Sequence, residues 1–338
     1  MLPSALPDLA RNIGGTPLQT IVVTIDRCVH KILLKREDNN PIGSIKDRTA
    51  YGLLTALEKA HPGQPLTVVE STSGNLGAAL ATLCHLRGHT FMAVVDPKAP
   101  QASIELMRKF GAQIHVVEEA DKNGNYLDTR IRQARELCAA LPKAHWTNQY
   151  SNRVNPSIHY RHTAPEILRQ SPEPIDAIFV AVSTGGTLRG ISDRCRLDSP
   201  GTRIVAVDVQ GSIALGGTPG PRSLNGIGAN RQSRFITRQH YNEKILITDS
   251  EAIVACRRLL DETGTHVGGS SGAAVAACLR YLVSHPATGT AVCVCPDGGS
   301  KYADTLYSDA WLESHGIDLS PVHDWFAAHR IRLHADVT

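Results

Sequence analysis

Ile178-Phe179-Val180-Ala181-Val182 runs directly into Ser183-Thr184-Gly185-Gly186-Thr187. Five apolar residues suit a buried strand, and glycines with hydroxyls straight after them suit a tight turn. Three more turns of this kind occur. They are Gly43-Ser44-Ile45-Lys46-Asp47-Arg48, Ser71-Thr72-Ser73-Gly74-Asn75-Leu76-Gly77 after Thr67-Val68-Val69-Glu70, and Gly268-Gly269-Ser270-Ser271-Gly272. Around them, short runs such as Phe91–Val95, Gln113–Val117, Arg203–Val207 and Ala291–Cys295 alternate with segments of helical period. The latter include Arg48–His61, Leu76–Arg87, Leu127–Leu141, Ser157–Arg169 and Ser250–Thr263. Strands alternating with helices predict βαβ units, hence an α/β fold with mostly parallel sheets flanked by helices. Two such series meet near residue 150, which predicts two α/β domains, 1–150 and 151–338. Gly211–Gly228, rich in Gly and Pro, reads as a long irregular loop.

Composition narrows the function classes. The 338 residues carry 35 basic and 32 acidic side chains, a net charge of +3, too balanced for an electrostatic nucleic-acid binder. The longest apolar runs, such as Gly272–Leu279, fall far short of the ~18 residues of a membrane span. The opening Met1-Leu2-Pro3-Ser4 has no basic stretch ahead of an apolar one, so a cytoplasmic location is expected. Eight scattered cysteines read as small buried hydrophobes or ordinary thiols in a reducing compartment. Cys293 and Cys295 form a C-x-C inside Ala291–Cys295, better explained as a strand than as half of a metal site, and no metal is expected. His159 and His162, one helical turn apart, are expected to be structural or surface residues.

The chemistry lies in the turns, because doubly wound sheets bind ligands outside the carboxyl ends of their strands. In Ser183–Thr187, glycines admit close backbone approach, N–H groups point outward and hydroxyls add donors, which suits a phosphate. No Gly-Lys-Ser/Thr follows, so the turn is not a Walker A loop. Lys46, beside another turn, would then supply the amine that a phosphate-bearing aldehyde cofactor needs.

These four turns, in this order and with Pro296-Asp297-Gly298-Gly299 behind them, resemble the cysteine synthase family of fold-type II pyridoxal-phosphate enzymes. The resemblance extends from Ile13-Gly14-Gly15-Thr16-Pro17-Leu18 to about residue 310. It implies pyridoxal 5′-phosphate as cofactor, with Lys46 as the Schiff-base lysine and Asn75 as partner of the ring's 3′-oxygen. It further implies that Ser183, Thr184, Gly185, Gly186 and Thr187 hold the phosphate and that Ser270 faces the pyridine nitrogen. Thr72, Ser73 and Gln149 match groups that hold the substrate carboxylate, and Gly226-Ile227-Gly228 matches a loop beside the active site. A homodimer is implied as well.

Departures narrow the reaction. Asp47-Arg48 and Ser-Thr-Gly-Gly-Thr favour β-replacement over the deamination of threonine dehydratases. Cysteine synthases usually have Thr, Phe and Gly where this chain has Leu76, Tyr150 and Ser183, and Met-Pro where it has Asp96-Pro97. Val94–Lys98, Val117–Asp121, Gly124–Arg130, Asn148–Asn152 and Tyr307–Leu312 resemble a branch of the family that joins O-phospho-L-serine to L-glutamate in siderophore pathways. That branch makes a precursor of 2,3-diaminopropionate and usually has threonine at the position of Gly185. A phosphate leaving group calls for an arginine, and Arg130, within one of these stretches, is the candidate to hold it, the other reading being a solvated helical charge. The added hydroxyls of Tyr150 and Ser183 are candidates to recognise glutamate, the other reading being bonds to local backbone. The alternatives are a cysteine synthase using sulfide and a homologue that binds cofactor without turnover.

Overall fold

The computed structural model describes residues 9–121 and 124–336. The chain begins with a hairpin, β1 (Leu18–Ile25) and β2 (Cys28–Arg36), in which Ile21 lies opposite Ile32. It then builds α1 (Lys46–Ala60), β3 (Thr67–Ser71), α2 (Asn75–Leu86), β4 (Thr90–Val95), α3 (Gln101–Lys109), β5 (Gln113–Val116), α4 (Leu127–Ala140), β6 (Ala144–Trp146) and α5 (Val154–Ile158). A π-helical turn, His159–Thr163, leads into α6 (Ala164–Gln170), β7 (Ala177–Ala181), α7 (Gly186–Asp198), β8 (Arg203–Val209) and β9 (Glu243–Ile247). The remainder is α8 (Asp249–Thr263), α9 (Gly269–Ser284), β10 (Thr290–Cys295), α10 (Asp309–Ser314), α11 (Ser320–Ala328) and β11 (Arg332–Ala335).

Two units result. The first comprises Asn40–Ile158 with the segment up to Gly14; the second comprises Gly15–Asn39 and His159–Thr338. The hairpin thus leaves the first half of the sequence for the second unit, because β2 pairs in parallel with β10, Leu34 opposite Cys293. Boundaries read along the chain, at residue 150, missed that exchange.

In the first unit the sheet order is β5-β4-β3-β6, all parallel. Strands covered on both faces lose their hydrophobic alternation, and five of the six residues of β4 are buried. Val68 packs into one core cluster with Leu80 and Met107, while its neighbour Val69 packs with Val94 and Ala134 on the opposite face. Helix α2 approaches α3 so closely that a Cβ on Gly77 would lie 2.5 Å from Met107 Sδ.

In the second unit the order is β11-β1-β2-β10-β7-β8-β9, antiparallel at β11-β1-β2 and parallel beyond. All six residues of β10 are buried, Cys293 and Cys295 among them, so the C-x-C is a strand. All eight cysteines are free. Helix α9 packs on α8 through Gly272, where a Cβ would meet Ala252 O and Cys256 Sγ at 2.3 Å. The predicted helix Ser157–Arg169 is instead α5, the π-helical turn and α6. Pro165, at the start of α6, has no N–H to continue the earlier ladder. Gly211–Gly228 is irregular, as expected, and Ser212 Oγ pins its ends by accepting from Ala214 N (3.1 Å) and Ala229 N (3.0 Å). Among the described residues no helix is long and apolar enough to cross a membrane.

Candidate active site

In the first unit the functional side chains gather where β3 ends and α1 and α2 begin. Gly43 takes φ +97°, a conformation that side chains resist, and so turns the chain into α1. Asp47 fixes that turn, accepting from Ile42 N (2.7 Å) and Ser44 Oγ (3.3 Å). Lys46 is the first residue of α1. Among the described residues its amine has no hydrogen-bond or ion-pair partner. Burial pulls its pKa down to about 8, and the charge of Glu70 opposes that shift. An uncommitted amine of lowered basicity suits covalent and proton-transfer chemistry.

Glu70, on β3, is fully buried. Burial raises its pKa, opposed by four bonds: from Thr147 Oγ1 (2.5 Å), Ser71 N (2.8 Å), Gln149 N (3.0 Å) and Trp146 Nε1 (3.3 Å). The same carboxylate therefore ties the end of β3 to the segment after β6. Gln149 completes the tie by donating its Nε2 to Ser71 O at 3.1 Å. The side chain that the sequence assigned to the substrate carboxylate is thus held at the Ser71–Gly74 loop, with Tyr150 next in the chain.

Within that loop Thr72 Oγ1 caps α2 by accepting from Gly77 N at 3.1 Å. Asn75 opens α2. Ser73 Oγ accepts from the Arg130 guanidinium of α4 and donates to Asp96 Oδ2 at 3.2 Å. Asp96 Oδ2 lies 3.3 Å from the same guanidinium. Two stretches that set the sequence apart from ordinary cysteine synthases, Val94–Lys98 and Gly124–Arg130, consequently meet at the substrate loop. Lys98 adds a second contact, its ammonium 5.9 Å from the centre of the Tyr126 ring.

In the second unit the turn after β7 is built from backbone. Gly185 adopts φ +90°, and a Cβ there would meet Ser233 Oγ at 2.2 Å and Ile236 Cδ1 at 2.6 Å. Ser233 Oγ in turn donates to Thr184 O (2.7 Å) and so supports the turn from beneath. This explains glycine where threonine was expected: the volume is already taken. Helix α7 starts at Gly186 and directs its free N–H groups toward the turn. Thr187 Oγ1 lies 3.4 Å from Nε2 of the buried His159, whose Nδ1 bonds Thr163 Oγ1 (3.0 Å). His159 is thus a structural support for the turn. Gly228 N donates to Val182 O at 2.7 Å, just before Ser183. Ser270, buried near the start of α9, is close to Gly226, whose Cβ would lie 3.8 Å from its Oγ. The Gly226–Gly228 loop thus passes beside Ser270.

A glycine turn at a helix N-terminus suits a phosphate, and an uncommitted amine suits an aldehyde, so the residues fit pyridoxal phosphate. Residues 9–297 match the family described as pyridoxal-phosphate dependent enzyme. The chain belongs to that family. Pyridoxal phosphate is therefore the cofactor of this enzyme. A relative from Ralstonia nicotianae, N-(2-amino-2-carboxyethyl)-L-glutamate synthase, is 42% identical over 301 residues, 89% of each chain. Among solved structures, an O-acetylserine dependent cystathionine beta-synthase from Helicobacter pylori superposes with TM-score 0.81 at 27% identity, over 90% of this chain and 98% of its own. An O-ureido-L-serine synthase gives TM-score 0.81 at 29% identity, over 90% of this chain and 98% of its own. These relatives place the chain among the fold-type II pyridoxal-phosphate enzymes of β-replacement.

Sequence reasoning missed three supports of the site. Glu70 was quoted only as a strand residue, Asp96 only as a departure, and His159 was given no partner. A carboxylate closing a buried strand, as both acids do, was the available signal, since such a charge needs donors.

Proposed function

We propose that the enzyme joins O-phospho-L-serine to L-glutamate, releasing phosphate and N-(2-amino-2-carboxyethyl)-L-glutamate. The observation that carries this reading is Arg130, a guanidinium delivered onto Ser73 of the substrate loop. A phosphate leaving group is a dianion near neutral pH and calls for such a cation; an acetyl group does not. The name and similarity of the Ralstonia relative support the same reaction.

In this reading Lys46 anchors the cofactor covalently and, once released by the substrate, removes the α-proton. Its pKa of about 8 leaves part of the amine unprotonated near neutral pH. Pyridoxal phosphate, when bound, supplies an electron sink for the substrate's α-carbon. In the first unit Asn75 serves the ring's 3′-oxygen, while Thr72, Ser73 and Gln149 orient the substrate carboxylate. In the second unit Ser183, Thr184, Gly185, Gly186 and Thr187 receive the cofactor phosphate and Ser270 faces the pyridine nitrogen. A neutral hydroxyl there supports carbanion charge less than a carboxylate would, which favours prompt loss of the β-substituent. The hydroxyls of Tyr150 and Ser183 serve the glutamate. The enzyme works as a cytoplasmic homodimer, and its product feeds 2,3-diaminopropionate synthesis for a siderophore.

The test is product identification by mass after incubation with O-phosphoserine or O-acetylserine, each paired with glutamate or sulfide. The reading expects the glutamate adduct from O-phosphoserine as the fastest product. Faster cysteine formation from either donor would replace it with a cysteine synthase.

A further inference from the structure

Ser73 has one hydroxyl proton, and that proton is donated to Asp96 Oδ2 at 3.2 Å. Its oxygen meanwhile accepts from Arg130 Nη1. Both capacities of a residue expected to receive a substrate anion are therefore used within the protein. Asp96 divides its own oxygens: Oδ1 accepts from Lys98 N at 2.9 Å and holds the turn after β4, while Oδ2 faces Ser73 and Arg130. The Arg130 side chain is only 13% exposed and that of Asp96 11%, so the pair is poorly screened by water. Arg130 Nε is buried and has no acceptor among the described residues. A buried guanidinium with an unused N–H beside a carboxylate that engages it at one oxygen is poised for a better anion.

We propose that Asp96 is an internal stand-in for the substrate's phosphate, occupying Ser73 and Arg130 until a phosphorylated donor displaces it. The inference rests on the donor assigned above and deepens it. On arrival the phosphate takes the Arg130 fork, and Ser73 turns its proton from Asp96 Oδ2 to the substrate. A neutral leaving group brings too little charge to make that exchange, so the carboxylate selects between donors. Its cost is weaker anion binding, because a negative charge sits beside the site.

Asp96→Asn separates this role from a structural one. The asparagine carbonyl can keep the bond from Lys98 N, while its Nδ2 donates to Ser73 Oγ and frees the Ser73 proton. Inorganic phosphate is the probe, read in the holoenzyme as its competitive inhibition constant against O-phosphoserine. The expected result is an inhibition constant lowered about threefold or more, with KM for O-phosphoserine falling further than KM for O-acetylserine. An unchanged or raised constant overturns the proposal, since a residue that merely positions Arg130 would weaken phosphate when altered. Asp96→Ser, which removes the same charge with a shorter side chain, serves if the asparagine variant folds poorly. Arg130→Ala is measured alongside. If it leaves phosphate inhibition intact, the donor assignment itself fails. If it weakens phosphate while Asp96→Asn does not tighten it, only the stand-in role fails.

Discussion

Two turns in this enzyme are suited to phosphate, and they use different physics. The Ser183–Thr187 turn of the second unit is made of glycines, hydroxyls and the start of α7, with Gly185 fitted against Ser233. The Ser73 loop of the first unit instead receives a full guanidinium from Arg130 and a countercharge from Asp96. Backbone N–H groups are fixed when the chain folds, so they suit a group that stays bound. A charged side chain with an internal competitor suits one that must arrive and leave. On the proposed function, permanent and transient anions would thereby be served by rigid and exchangeable donors respectively.

The largest expected effect lies outside both turns. Lys46→Ala removes the covalent anchor and the base together, so turnover should fall by at least ~10³-fold and the cofactor should no longer be fixed by borohydride. Absorbance and intact mass check this, and a variant with native activity would dissolve the assignment of Lys46. Next in size, Arg130→Ala should raise KM for O-phosphoserine about 10- to 100-fold while leaving the cofactor spectrum and the KM for O-acetylserine unaltered. Equal losses for both donors would erase the contrast between the two turns.

Gly185→Ala tests the rigid side. Its Cβ would meet Ser233 Oγ at 2.2 Å in a left-handed conformation, costing roughly 1–3 kcal/mol. Cofactor affinity should weaken and both donors should suffer alike, as titration of the apoprotein and donor kinetics would reveal. Unchanged affinity would mean that the turn is not the phosphate cradle. Tyr150→Phe and Ser183→Gly should be milder, each slowing condensation with glutamate several-fold while the first half-reaction with O-phosphoserine is less affected. Stopped-flow spectra separate the halves, and equal slowing would assign both hydroxyls to the cofactor or the donor.

The last effect falls on stability rather than turnover and is a pH dependence of the apoprotein. Folding lowers the Lys46 pKa to about 8 from its ordinary 10.5, so the unfolded chain binds more protons between those values. Lys46 therefore destabilises the apoprotein most fully below pH 8, and that penalty fades as pH rises toward 10.5. Lys46→Met should be more stable than the native apoprotein at pH 7, with the difference shrinking at pH 10. A constant difference in denaturant unfolding would show that the amine is not desolvated.

Much of this arrangement was legible in the sequence because glycine and hydroxyl turns punctuate buried strands, and both features are local. What escaped depends on partners distant in the chain. Strand β2 was missed because Lys31 and Lys35 interrupt its apolar run. Lys35 nevertheless lies fully buried, donating to Thr16 O (2.6 Å), Glu166 Oε2 (2.9 Å) and Gln170 Oε1 (2.9 Å), partners no local pattern could supply. Strands β6, β9 and β11 are edge strands of three to five residues, too short for a clear pattern. Helix α7 opens on glycine and continues Thr187-Leu188-Arg189-Gly190, which masks its period. Arg130 was singled out as a candidate from the chemistry of a phosphate leaving group, but its meeting with Ser73 and Asp96 required the sheet to bring β3, β4 and α4 together.

The most direct test of the account offers the holoenzyme O-phosphoserine with glutamate and sulfide in one vessel, both acceptors saturating, and measures product partition by mass. The account predicts that N-(2-amino-2-carboxyethyl)-L-glutamate accumulates in excess over cysteine, with one phosphate released per adduct. Cysteine as the dominant product, with glutamate left unconsumed, would contradict it.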